Sequence, residues 1–252
     1  MTLDSLNRWK AFALHLALSA AIAGMVVTLM LVVWYPPPYF AAMGGDALIL
    51  ILIGVDVVIG PLITLIIFDP KKKGLRFDLA VIAALQLAAL AYGGSVMFQA
   101  RPVYNVFVTD RFEVVAANAV DAESLAKADV EFRRLPLTGP KVIAARQPDD
   151  PQRLAEIVLS AMNGGPDLAN LADLYVPYAQ FRLDAAKRAR PLPELAKRQP
   201  QDAATIRAFV TASGRAEDTV GFLPMKARAK DMAVVVDNKT GEIVGFLPVH
   251  PW

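Results

Sequence analysis

Three long apolar stretches, all before residue 100, constrain this chain more than anything else in it. Residues 11–33 carry no Asp, Glu, Lys or Arg, 47–68 carry one acid, Asp56, and 79–98 carry none. At 1.5 Å per residue, about 20 residues of helix cover a ~30 Å hydrocarbon core. The pattern therefore predicts three membrane-spanning helices, over about 11–33, 47–68 and 79–98, in a membrane region 1–98. The first run exceeds the 7–15 residues of a signal-peptide core. The bulky Trp34-Tyr35-Pro36-Pro37-Pro38 after it makes a poor cleavage site, so the run reads as a retained anchor.

Lys and Arg in the short flanks orient such spans. Arg8 and Lys10 precede the first run, residues 34–46 between the first and second carry neither, and Lys71, Lys72, Lys73 and Arg76 precede the third. The N-terminus and the second loop are then cytoplasmic, and everything after the third run lies outside, which in a Gram-negative cell is the periplasm. Trp9, Trp34, Tyr35, Tyr39 and Phe40 flank the runs as an aromatic belt would. Ala13, Ala17 and Ala21, the pair Ala20/Gly24, and Ala80, Ala84 and Ala88 form stripes at i,i+4 spacing. Small residues let helix backbones approach in lipid, where water cannot drive association. They serve either the bundle itself or a foreign helix.

Asp56 is the most informative single residue. A carboxylate at mid-bilayer costs roughly 2.5–3.5 kcal/mol on insertion scales. Counted along ideal helices it lies about 18 Å from the cytoplasmic end, Tyr92 about 20 Å, Gln86 about 11 Å and His15 about 6 Å. Depth favours Tyr92 as its hydrogen-bond partner, then Gln86, with His15 too shallow. Pro61, five residues on, removes a backbone donor, and Gly54 and Gly60 bracket the acid. Asp56 is thus a structural staple at a kink or a contact for a partner's membrane helix. A proton relay ranks last, because three helices with one acid make a poor transporter. Asp56, Gly60, Pro61, Tyr92, Trp34 and Tyr35 are the partner-binding candidates.

Residues 99–252 have ordinary soluble composition, with 20 Lys+Arg against 19 Asp+Glu, and suit one domain. Residues 103–108 and 112–116 read as a hairpin around Thr109-Asp110. Asp121 caps a short helix over 122–128, and 141–145 is a strand. Asp150-Pro151 opens a helix that Gly164-Gly165-Pro166 ends. A short helix follows over 167–175. Residues 176–200, rich in Pro and charge, are expected to be mostly loop. Asp202 caps a helix bearing Ile206, Phe209 and Val210, with Gly214 beyond its end. Strands over 219–226, 232–236 and 242–247 make a closing β-meander, with Gly241 at a positive-φ loop position. The expected fold class is an α+β membrane protein: three N-terminal transmembrane helices, then one α+β periplasmic domain with a C-terminal β-meander.

Composition and motifs narrow the function. Hydrophobic residues make up 55%, and the 15 Gly raise that share to roughly 61%, above the 45–50% of soluble domains. A net charge of +2 gives no basic face for nucleic acid. The absence of Cys removes thiolate chemistry and disulfides, and two His leave no His-rich metal site. The chain lacks G-x-S-x-G, H-E-x-x-H, P-loop and dinucleotide-binding patterns. Asp149-Asp150 reads as helix capping, and Asp231, Asp237 and Asn238 read as turns rather than a calcium loop. No catalytic, cofactor-binding or metal-ligating residue is assigned, and no small-molecule substrate is expected. The balance favours a binding or assembly protein over an enzyme.

Several motifs together resemble the TfpX/TfpZ-type type IV pilin accessory proteins. They are Arg8-Trp9-Lys10-Ala11-Phe12 with His15-Leu16, Trp34-Tyr35-Pro36-Pro37-Pro38, Gly54-Val55-Asp56 with Gly60-Pro61-Leu62, and Leu85-Gln86-Leu87-Ala88-Ala89-Leu90. Further on come Ala100-Arg101-Pro102-Val103-Tyr104, Asp110-Arg111-Phe112-Glu113-Val114-Val115, Asp231-Met232, Val236-Asp237, Thr240-Gly241-Glu242 and Pro251-Trp252. The likeness is densest over 8–116 and 219–252. It implies a multi-pass inner-membrane chaperone that stabilises a particular type IV pilin before pilus assembly, with the lipid bilayer as its other partner. On that reading the alanine stripes and Asp56 meet the pilin helix, and the β-meander meets the pilin head by strand addition. The rival is a membrane-anchored periplasmic ligand-binding sensor or regulator.

Overall fold

A computed structural model describes residues 7–252, without the side chains of Leu48, Ile51 and Leu52. The described residues divide into two compact units: one takes in 7–33 and Gly45–Gln99, the other Trp34–Gly44 and Ala100–Trp252.

In the first unit, Asn7 accepts a hydrogen bond from the Lys10 N–H and caps α1, Arg8–Leu29. The helix runs on through a π-turn at Met30–Trp34. A single turn, α2 (Tyr39–Ala42), belongs to the second unit. The chain then forms α3 (Gly45–Leu52), a π-helical stretch Ile53–Ile59, α4 (Gly60–Ile67) and α5 (Leu75–Gln99).

Among the described residues two helices, not three, are long and apolar enough to cross a bilayer: Arg8–Trp34 with 27 residues and Leu75–Gln99 with 25. The expected span over 47–68 is an interrupted helix whose apolar stretch is Ile53–Ile67, which corrects the three-span fold class. The physical reason lies in Pro61, whose missing N–H cannot continue an α ladder. The backbone widens to i→i+5 spacing before it and resumes α geometry with Pro61 in the first turn of α4. Both α1 and α5 pack chiefly on this interrupted segment. Ala11, Phe68 and Leu75, with Leu79 against them, close one end.

The second unit is α+β, built on one eight-stranded mixed sheet in the order β4-β3-β1-β2-β6-β7-β8, with β5 pairing β6. The strands are β1 Pro102–Val108, β2 Arg111–Ala116, β3 Lys141–Ala145, β4 Tyr175–Pro177, β5 Arg190–Pro191, β6 Val220–Lys226, β7 Met232–Asp237 and β8 Ile243–Leu247. β1 and β7 are buried along their whole length, as strands covered on both faces must be. β1 pairs β2 antiparallel and β3 parallel. The meander β6-β7-β8 joins through two parallel pairs, Phe112↔Met225 and Glu113↔Lys226. Along that flank of β6 the partner changes from β5, at Gly221 and Phe222, to β2, at Met225 and Lys226. Pro224, which has no N–H to donate, sits at the change.

The helices of this unit are α6 Ala122–Lys127, α7 Pro151–Met162, α8 Arg182–Arg188, α9 Leu192–Arg198 and α10 Ala203–Ser213. Asp121 and Asp150 cap α6 and α7 through their side chains. Three expectations need correction. Residues 167–175 form two 3-10 turns and the first residue of β4, because Leu171 is extended between the turns and Tyr175 pairs with Ala145. The stretch 176–200 contains α8, β5 and α9, anchored by the fully buried Ala185, Leu192 and Leu195. Asp202 makes no side-chain cap bond, since a 3-10 turn leads straight into α10. The segment Trp34–Gly44, far away in sequence, packs into this core: Tyr39 and Ala42 share a cluster with Phe107, Phe112 and Val234.

Candidate functional site

Polar side chains inside the first unit converge on one place. His15 Nδ1 lies 2.7 Å from Thr64 Oγ1, and His15 Nε2 lies 2.8 Å from Gln86 Oε1. The Gln86 Nε2 group donates to the Asp56 carbonyl at 3.2 Å. A carbonyl only accepts, so Gln86 turns its own oxygen to His15, which must donate from Nε2. With a neutral imidazole, Nδ1 then accepts from the Thr64 hydroxyl. One chain of hydrogen bonds thus ties α1, the interrupted segment and α5 together.

Gly60 makes room for this arrangement: a Cβ there would stand 2.0 Å from Gln86 Nε2. Asp56 is 8% exposed, and its Oδ1 has no hydrogen-bond partner among the described residues. It lines a cavity of 160 Å³ walled by His15, Ser19 and Ile22 of α1 and by Gln86, Leu87 and Leu90 of α5. A second cavity of 240 Å³ shares His15, Leu18 and Ala83 with it and reaches Ala11 and Phe68. Together they form a groove between α1 and α5, floored in part by the π-stretch. It runs from Ala11 to Ile22 on α1, about 16 Å at 1.5 Å per residue.

Of the sequence candidates, Asp56 lines this groove, while Gly60 and Pro61 are buried behind it at the start of α4. Tyr92 does not join them; it is 75% exposed, and Gln86 is the side chain that reaches Asp56. Trp34 and Tyr35 belong to the second unit. Trp34 is half-buried, while Tyr35 is buried, and burial pushes its hydroxyl up to about 12 against the opposing pull of Arg228 and Arg101. Tyr39 is also buried and raised by that burial, with Asn105 Nδ2 donating to its hydroxyl at 3.3 Å. His15, which depth along an ideal helix set aside as too shallow, and Thr64, which was not singled out, complete this hydrogen-bonded group. Their signal was polarity inside otherwise apolar runs. The stripes Ala13/Ala17/Ala21 and Ala80/Ala84/Ala88 face outward, exposed, while Ala11, His15, Ser19 and Ala23 turn toward the unit's interior.

In the second unit the sheet ends on one side at β8, whose sequence IVGFL carries no charge. Among the described residues no group of three or more His, Asp or Glu side chains is placed to hold a metal ion.

A family model described as fimbrial assembly protein FimB matches residues 4–44. "Fimbrial assembly protein, serogroup I" of Dichelobacter nodosus is 33% identical over 236 residues, spanning 91% of this chain and 90% of the relative. The serogroup E1 protein of that organism is 32% identical over the same length and coverage. The protein of serogroups C1 and C2 is 35% identical over 121 residues, 47% of this chain and 92% of the relative. No solved structure matches the chain.

Proposed function

This chain belongs to the fimbrial assembly protein family, a type IV pilin accessory family, and we propose that within fimbrial assembly it binds and stabilises the pilin subunit in the inner membrane before polymerisation. It works as a non-catalytic chaperone. α1 and α5 anchor it in the bilayer with Arg8, Lys10 and the Lys71-Lys72-Lys73 turn on the cytoplasmic side and the second unit on the periplasmic side, the chain returning between them through the interrupted helix rather than a third regular span. Both long helices start at a basic end, and both lead in sequence directly into the second unit, through Trp34 and Ala100.

The observation that carries this reading is the outward surface of the first unit. Leu14, Leu18, Met25, Leu85 and Leu87 are all more than half exposed, and each would give up about 1.5–3 kcal/mol of transfer free energy in water. Interleaved with them are the uncovered alanine stripes, which allow a second helix to approach closely. A pilin with a membrane-embedded helix and an external head needs a lipid-facing surface for the one and an external surface for the other. The first unit supplies the former. The uncharged edge strand β8 supplies the latter, through main-chain pairing with a strand of the head.

The test is deletion of the gene followed by immunoblotting for pilin and counting of surface fibres, with affinity co-purification from the complemented strain. Loss of pilin, loss of fibres and recovery of pilin with the tagged protein are expected. Unchanged pilin and fibres would remove the chaperone reading. A periplasm-dependent reporter fused after Trp252 should be active, and activity confined to a cytoplasmic reporter would overturn the orientation.

A further inference from the structure

We propose that the groove between α1 and α5 seats a membrane-embedded helix of the pilin subunit, and that Asp56 receives an N–H or O–H donor from that helix. This rests on the pilin-binding reading above and specifies where and by what chemistry the pilin is held.

The polar groups of the groove are not equally available. Both ring nitrogens of His15 are engaged, and Gln86 is bonded at both ends of its amide. Asp56 differs: the residue is 8% exposed and lines the cavity, and its buried Oδ1 has no partner among the described residues. A buried acceptor in an apolar setting is unfavourable until a donor reaches it. The ligand that completes this site must therefore bring a donor, and the rest of it must suit Leu18, Ile22, Leu87 and Leu90.

Position identifies the source of the donor. His15 to Ile22 lie about 10–21 Å along α1 from Arg8, and Ala83 to Leu90 about 12–23 Å along α5 from Leu75. Both intervals fall in the middle of the long helices, away from the levels at which lipid headgroups carry their ammonium and hydroxyl groups. At that depth a protein segment has to be helical, because its backbone polar groups find no water. Shape agrees, since two cavities in line along three turns of α1 offer a trough rather than a closed pocket. A cavity of 160 Å³ is of the size that admits one ring or branched side chain, as an engineered cavity of about 150 Å³ admits benzene.

The test places a photo-crosslinking residue at Leu90, on the groove wall, or at Phe77, an exposed site elsewhere on α5, in cells making pilin. Leu90 should label pilin and Phe77 should not. Asp56→Leu removes the acceptor, and Ala83→Leu fills the groove while leaving the Asp56 carboxyl in place. Each should lower labelling from Leu90 about tenfold, the scale of one lost hydrogen bond for Asp56→Leu and of one overpacked contact for Ala83→Leu, with membrane abundance within about twofold of the parent. If Asp56→Leu is degraded, Ala83→Leu decides the matter. Undiminished labelling in Ala83→Leu, labelling of lipid alone, or equal labelling from Leu90 and Phe77 would overturn the proposal. Where the parent protein still co-purifies with pilin, those results remove the groove and leave the chaperone reading standing. Failure of the parent to bring pilin down removes both.

Discussion

Gln86 Nε2 donates to the carbonyl oxygen of Asp56 at 3.2 Å, across from α5 into the π-helical stretch Ile53–Ile59. In i→i+5 register that carbonyl would take the N–H of residue 61, and residue 61 is proline. A side chain from another helix therefore supplies the donor that the backbone lacks. The same amide accepts from His15, so one residue satisfies the break and links it to α1.

Space at Gly60 is a condition of this link. Gly60→Ala would set a Cβ 2.0 Å from Gln86 Nε2 and force the amide away from both partners. The expected outcome is a loss of about 1–3 kcal/mol, the range for overpacking a tight contact. It would be measured as a lower midpoint of thermal unfolding of the full chain in detergent. An unchanged midpoint would show that Gln86 does not hold the break.

Removal of the amide itself probes the network as a unit. Gln86→Leu leaves the Asp56 carbonyl and His15 Nε2 unpaired, at about 1–3 kcal/mol for each buried group. Because the two losses share one residue, Gln86→Leu and His15→Leu should be non-additive, with a coupling of roughly 0.5–3 kcal/mol. A double-mutant cycle on the detergent-solubilised protein measures it, and simple additivity would break the network into independent contacts.

The difference between what was legible in the sequence and what was not follows the range of the interactions. Local signals sufficed for β1, β2 and the meander, where alternating apolar residues meet turn residues such as Asp237 and Gly241. They sufficed equally for α7, marked at both ends by Pro151 and Gly164. At the candidate site Asp56 and Pro61 stood out, because an acid and a proline in an apolar run are local anomalies. Its partner did not, because depth counted along straight helices favoured Tyr92. The helix carrying Asp56 is not straight, and which face of α5 turns inward depends on packing. The role of residues 34–44 was hidden for a similar reason. Aromatic residues beside an apolar run resemble an interfacial belt, and only the folded second unit supplies the core that buries Tyr35 and Tyr39. In 176–200, the general polarity concealed three buried anchors, Ala185, Leu192 and Leu195.

Acid should weaken the β7–β8 loop through Asp237. Its Oδ1 accepts from the N–H groups of Thr240 and Lys239, both at 2.9 Å, and these bonds hold the carboxyl below its ordinary 3.8. A carboxyl lowered in the folded state contributes stability above its unfolded value and loses it as pH falls through the folded value. Asp237→Ala should therefore melt below the parent at neutral pH, and the gap should close as pH drops below 3.8. Melting curves of both proteins from neutral pH to about pH 3 provide the check. A gap that is constant with pH would assign the loop's stability to packing instead.

Docking of the 34–44 segment depends on a buried polar pair. Asn105 is 0% exposed and Tyr39 6%, and Asn105 Nδ2 donates to the Tyr39 hydroxyl at 3.3 Å. The Tyr39 ring also meets Phe246 edge-on at 5.4 Å between centroids, and the Ala42 carbonyl accepts from the N–H groups of Ala229 and Lys230. Tyr39→Phe keeps the ring and strands the Asn105 amide, at about 1–3 kcal/mol. Tyr39→Ala removes the ring as well and should cost about 3–5 kcal/mol. Guanidinium unfolding of the full chain in detergent, followed by circular dichroism, should rank the parent above Tyr39→Phe and Tyr39→Ala last. Limited proteolysis should then cut Tyr39→Ala near Pro36-Pro37-Pro38 while sparing β1, since only the segment loses its anchor. Equal protection of that segment in all three proteins would mean that its hold comes from the Ala42 backbone bonds and not from Tyr39.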